Sequence, residues 1–228
     1  MTRRIVLFSV LFPFYMYCQN DAMKNDWPNL KKYATENTSV TTTNGSVVFM
    51  GDSITEFWKV NDGNFFSANP YIDRGISGQT TPQMLLRFRQ DVIELKPSAV
   101  VILAGINDIA ENTGPVTIEQ IMGNIISMAE LAKANNIKVV LCSVLPANQF
   151  NWNPKIKPAE KVIALNVLIQ NYATKNNITY VDYYTAMVDD QKGLQKRYGE
   201  DGVHPNIEGC KVMETLVDKA ILNCLKNK

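Results

Sequence analysis

Histidine is nearly missing from this chain: among 228 residues there is one, His204. Any imidazole chemistry must therefore run through that residue, and a zinc site assembled from several histidines is excluded. Cysteine is scarce as well, occurring at positions 18, 142, 210 and 224. These spacings form no Cys-x-x-Cys pair and no disulfide framework. Cys210 and Cys224 fall on one predicted helix, ~21 Å apart at 1.5 Å per residue, and cannot bridge. The three cysteines beyond the N-terminal segment read as small buried apolar side chains. An excess of either charge is absent too. With 23 basic and 22 acidic residues the net charge is +1, which gives no electrostatic reason to bind nucleic acid or an anionic membrane surface. Internal repeats, low-complexity tracts and a convincing interdomain linker are also lacking, so the chain reads as one domain with a sizeable core.

One apolar run is marked by its position. Arg3 and Arg4 precede Ile5–Tyr17, after which the chain turns polar at Gln19-Asn20-Asp21. Residues 1–20 thus have the layout of a secretory signal peptide, too short for a comfortable membrane span. The expectation is export to the periplasm or medium, without stable membrane insertion. Lipid attachment at Cys18 is the lesser reading, because bulky Tyr15-Met16-Tyr17 is unlike the small residues of lipoprotein signals. Residues 21–44 read as an N-terminal helical extension and residues 45–228 as the main domain.

What is present is organised around Ser46–Thr55. Val47-Val48-Phe49-Met50 runs straight into Gly51 and ends at Ser53, as a buried strand does when it breaks into a helix. In an α/β sheet that edge is where ligands meet the chain. Tyr71–Arg74 reads as a second strand leading into Gly75–Thr80. Thr81 and Pro82 then supply an N-cap and an N1 proline, leaving Gly78 in a tight loop with its N–H free. Ala99–Leu103 is a third strand, ending in Gly105-Ile106-Asn107-Asp108. Lys138–Cys142 is a fourth, opening into residues 143–158, and Ile178–Val181 a short fifth. Helical periodicity recurs between them, with Thr117 and Gln120 in capping-box spacing and a last amphipathic helix from Asn206. Strands alternating with helices predict an α/β fold of three layers, a parallel sheet with helices on both faces.

The chemistry sits at the strand ends. Acyl transfer needs a hydroxyl nucleophile, a base, a group that orients the base, and donors for the oxyanion. Ser53 is the candidate nucleophile and His204 the base. Asp201, three residues upstream, accepts the imidazole Nδ1–H. The backbone N–H groups of Ser53 and Gly78 and the side-chain amide of Asn107 are the candidate oxyanion hole. Ser53 also suits a helix N-cap and Asn107 a strand-ending turn, while Asp52 and Asp108 read as structural. No Gly-x-Gly-x-x-Gly follows the first strand, against a dinucleotide site, and no clustered thiols and histidines support a metal. Residues 145–154 follow the fourth strand and border the same cleft. Phe150 and Trp152, set among amides, suit stacking on a sugar ring; a rigid proline-braced cover is the alternative. Phe57 and Trp58 are either pocket wall or core, and Trp58 is retained as a candidate substrate contact.

Together these blocks resemble the SGNH (GDSL) hydrolase family. Gly51-Asp52-Ser53-Ile54-Thr55 matches its nucleophile block, Gly78 its glycine block, Asn107 its asparagine block, and Asp201 with His204 its closing Asp-x-x-His block. The family's usual leucine after the serine is Ile54 here. The resemblance covers Val47 to the C-terminus. It implies a flavodoxin-like three-layer α/β/α sandwich whose five parallel strands are ordered 2-1-3-4-5. It also implies a serine ester hydrolase working through an acyl-enzyme, with no metal or organic cofactor. The chain is similar to bacterial O-acetyl glycan esterases and to platelet-activating-factor acetylhydrolase-like and lysophospholipase-type members. Removal of short acyl groups, acetyl first, from a small ester or acylated glycan is the expectation. A general short-chain, aryl or lysophospholipid esterase is the second reading. A glycan-binding acetyltransferase or non-catalytic binding protein is a third, of another class.

Overall fold

Unbroken apolar, largely β-branched segments need cover on both faces, and in the computed structural model they take the centre of the molecule. The structure describes residues 26–226; the predicted leader and Cys18 lie outside the described residues. Five strands, β1 (Val47–Gly51), β2 (Tyr71–Gly75), β3 (Ala99–Leu103), β4 (Lys138–Cys142) and β5 (Thr179–Val181), form one sheet. All pairings are parallel and the order is β2-β1-β3-β4-β5, as the resemblance implies. Gly51 is level with Gly75 on β2 and with Leu103 on β3. The three glycine-containing motifs therefore leave the sheet side by side, where the strand order reverses.

Helices α1 (Lys31–Ser39), α2 (Ser53–Asn61), α3 (Gly63–Ser67), α4 (Thr81–Phe88), α5 (Ile106–Ile109), α6 (Ile118–Ala134), α7 (Ala159–Lys175), α8 (Tyr183–Met187) and α9 (Ile207–Lys226) surround it. α9 packs on α2 and on β3, β4 and β5, while α4, α6 and α7 pack in succession, giving three layers. Phe49 of β1, Trp58 of α2 and Phe65 of α3 form an aromatic cluster, with Trp58 stacked on Phe65 at 5.2 Å. That cluster seats the helix that begins at Ser53.

Local chemistry explains most boundaries. Thr117 and Gln120 form the expected capping box at α6. At α4 the cap is Thr80 rather than Thr81, and Gln83 Oε1 accepts the Thr80 N–H at 3.0 Å. Thr81 N–H and Oγ1 instead donate to Asp108, which joins the start of α4 to α5. Arg87, fully buried, donates to the Gly51 carbonyl at 2.9 Å, to Gln79 Oε1 at 2.6 Å and to Asp91 at 3.0 Å. Cys142, Cys210 and Cys224 are buried free thiols, as their spacing suggests.

Candidate active site

β1 can turn directly into α2 because Gly51 has no side chain: a Cβ there would lie 2.0 Å from Thr55 Oγ1. Asp52 follows as the cap, its carboxylate accepting the Ile54 N–H at 2.9 Å. Burial pushes the Asp52 carboxyl up to about 7, against the opposing pull of that hydrogen bond and of His204. Ser53 is the first residue of α2 and is almost wholly buried. Beside it, Gly78 holds a left-handed φ of +76° in the loop after β2. Asn107 stands in the first turn of α5 after β3. Its Nδ2 donates to the Gln79 carbonyl at 3.1 Å, and its Oδ1 accepts from Asn112 Nδ2 at 2.9 Å. The bond to Gln79 uses one Nδ2 hydrogen and leaves the second for another acceptor.

The last member arrives from 151 residues away. Asp201 Oδ1 accepts the N–H groups of Val203 at 2.9 Å and His204 at 2.8 Å, which folds residues 201–204 into a tight turn. Asp201 Oδ2 lies 2.6 Å from His204 Nδ1, and His204 Nε2 lies 2.8 Å from Ser53 Oγ. A carboxylate only accepts, so Nδ1 carries the proton and Nε2 accepts from the serine hydroxyl. Burial raises the Asp201 carboxyl, but the bonds from His204 and Val203 outweigh it and hold it below its ordinary value. An imidazole so arranged can take the hydroxyl proton as Ser53 attacks.

Ser53 and His204 open on a cavity of about 230 Å³ that Ser77, Gly78, Asn107 and Asn112 also line. Its walls are the half-exposed rings of Phe57, 5.3 Å from the imidazole, and Trp152, 6.5 Å from it. The structure thus brings Ser53, Asp201, His204, Gly78 and Asn107 together, with Trp152 at the rim. Two candidate contacts stand elsewhere. Trp58 is 2% exposed, points into the aromatic cluster and donates its indole N–H to Glu214 at 3.2 Å. Phe150 is fully buried and supports Trp152 from below, ring centroids 4.9 Å apart. Asn112, Ser77 and Glu56, whose carboxylate accepts from Ser77, were not singled out by the sequence. Among the described residues no three or more His, Cys, Asp or Glu side chains are grouped to hold a metal ion.

Comparison with known proteins places the chain in a family. The model of the GDSL-like Lipase/Acylhydrolase family matches residues 49–212. A crystal structure from Bacteroides fragilis, of a protein named as an acylhydrolase, shares 51% identity. The match covers 89% of this chain and 100% of that one, with a TM-score of 0.87. Esterase TesA of Pseudomonas aeruginosa is 29% identical over 135 residues, 59% of this chain and 60% of its own length. An uncharacterised lipoprotein of Bacillus subtilis, YqeF, is 32% identical over 83 residues, 35% of this chain and 34% of that protein. The matched stretches thus span less than two thirds of either curated relative.

Proposed function

The chain belongs to the GDSL-like lipase/acylhydrolase family, a family of ester hydrolases, and from that premise we propose that Ser53, His204 and Asp201 act as its catalytic triad. The observation that carries the proposal is the unbroken relay from Ser53 Oγ through His204 to Asp201, opening on the cavity. His204 Nε2 takes the hydroxyl proton while Ser53 Oγ bonds to the ester carbonyl carbon. The carbonyl oxygen becomes an oxyanion, held by the Ser53 and Gly78 N–H groups and Asn107 Nδ2. His204 returns the proton to the departing alcohol and an acyl-Ser53 ester remains. Water, losing a proton to His204, bonds to the acyl carbon; the bond to Ser53 Oγ then breaks, His204 returns the proton to that oxygen, and the acid leaves.

The preferred substrate is a short acyl ester, acetyl first, of a carbohydrate. The cavity of about 230 Å³ has room for a short acyl group, and Trp152, stacked on Phe150, offers a supported ring face to a pyranose leaving group. The net charge of +1 suits a neutral partner. Export is part of the same proposal. It draws on the basic and then apolar N-terminal pattern and on the lipoprotein name of the Bacillus subtilis relative. Among the described residues no helix is long and apolar enough to cross a membrane. The mass of the protein recovered from the periplasm or medium checks export, and a full-length chain retained in the cytoplasm refutes it.

The test is hydrolysis of p-nitrophenyl acetate against the octanoate ester, with Ser53→Ala alongside. Activity on acetate is expected to exceed that on octanoate, and Ser53→Ala is expected to lower kcat by about 10⁴-fold or more. Preference for octanoate favours a lipid or general esterase. Activity that survives Ser53→Ala removes the nucleophile assignment. Acetyl release to water without an added acceptor separates a hydrolase from an acetyltransferase.

A further inference from the structure

We propose that Glu56 is a positioning residue for the oxyanion hole, its carboxylate fixing the spacing between Ser53 and the Gly78 N–H. The inference rests on the assignment of Ser53 and Gly78 made above.

Glu56 lies one turn beyond Ser53 on α2. Its Oε2 accepts both the backbone N–H of Ser77, at 2.7 Å, and the Ser77 hydroxyl, at 2.6 Å. Ser77 immediately precedes Gly78. The other carboxylate oxygen pairs with Lys32 Nζ on α1. Burial raises the Glu56 carboxyl, yet the bonds from Lys32 and Ser77 hold it below its ordinary value, so it is ionised at neutral pH. Hydrogen bonds to an ionised acceptor are the stronger kind.

Gly78 itself is not held by packing: a Cβ built on it would meet nothing within 4 Å. Its neighbours hold it instead. The Gln79 side chain is fixed by Arg87 and by the Pro28 carbonyl, and the Gly78 carbonyl accepts from Asn112 at 3.3 Å. Glu56 is the anchor that reaches across from the nucleophile's own helix. Gly75 makes that reach possible, since a Cβ there would lie 2.2 Å from the Glu56 backbone nitrogen and push β2 off α2. An oxyanion donor is useful only when it stands at about 2.7–3.1 Å from the developing charge, and ~1 Å of misplacement costs on the order of 10²-fold.

The experiment measures p-nitrophenyl acetate kinetics and inhibition by phenylboronic acid, which becomes tetrahedral on a serine hydroxyl. Wild type, Glu56→Gln and Glu56→Asp are compared with rates normalised to active sites counted by the acyl burst, and Ser53→Ala is compared at equal protein concentration. Glu56→Asp keeps the charge near the helix start and shortens the reach by one methylene. The expected result in both Glu56 variants is a fall in kcat of about tenfold, KM within about twofold, and a matching loss of boronate affinity. Wild-type kcat in both overturns the proposal. So does a loss confined to KM, a loss that vanishes on active-site normalisation, or a loss in Glu56→Gln that Glu56→Asp fully restores. Hydrolysis that persists in Ser53→Ala overturns the underlying assignment, and the proposal with it.

Discussion

On one side of Ser53, the loop after β2 and the start of α4 are held by side chains from several elements. Glu56, Asp108, Asn112 and Arg87 all bond to it, and Gln79, Thr80 and Thr81 are almost wholly buried. On the other side, Asp201 and His204 are held chiefly by their own turn, with side chains 44% and 23% exposed. Under the proposed mechanism the two halves of the cleft do different work. Donors that meet developing charge gain from fixed geometry, because any reorganisation during the reaction subtracts from their effect. A base that must pass a proton to a leaving group and then admit water needs access, and so does a ring that receives substrate.

Three measurements sharpen or break this contrast. Asn107→Ala removes a donor from the fixed side and should lower kcat by about 10²–10³-fold with KM little changed. An equal effect on KM would mean that Asn107 binds the ground state. Asp52→Asn tests the buried floor beneath both sides. With a carboxyl raised to about 7 in the fold against 3.8 unfolded, the folded state binds the extra proton, so stability is greatest below 3.8 and falls as pH rises towards 7. From pH 5 to 8 the wild type should lose about 2–3 kcal/mol more than Asp52→Asn, whose amide oxygen still caps the Ile54 N–H. Parallel denaturation curves at the two pH values check this, and equal slopes would refute it. Trp152→Ala acts on the open side and should be the smallest. KM for an acetylated oligosaccharide should rise about five- to tenfold, with p-nitrophenyl acetate hardly affected. An equal change on both substrates would take Trp152 out of sugar recognition.

Much of the frame was legible because its signals are local. Ser53 and Asn107 each follow an apolar strand, Gly78 follows the strand Tyr71–Gly75, and Asp201 and His204 share one turn. Orientation within elements was less legible. Phe57 and Trp58 are adjacent and both apolar, so composition does not say which faces the cavity; the helix turns Trp58 inward and leaves Phe57 40% exposed. Phe150 and Trp152 divide in the same way. Thr80 and Thr81 are equally good caps by type, and the tie is broken by Asp108, 27 residues on. Glu56 carried only the weak signal of an acid near a helix start, since its partner Ser77 is 21 residues away.

The 151 residues between Ser53 and His204 also impose an order in time. A chain that emerges from its N-terminus presents a serine long before it presents an imidazole. The helix that follows His204 must then dock for Trp58 to reach Glu214 and Tyr71 to reach Asp218. Until that last segment closes, Ser53 stands without the histidine proposed as its base. The proposed triad therefore predicts that a chain ending before residue 201 hydrolyses no ester.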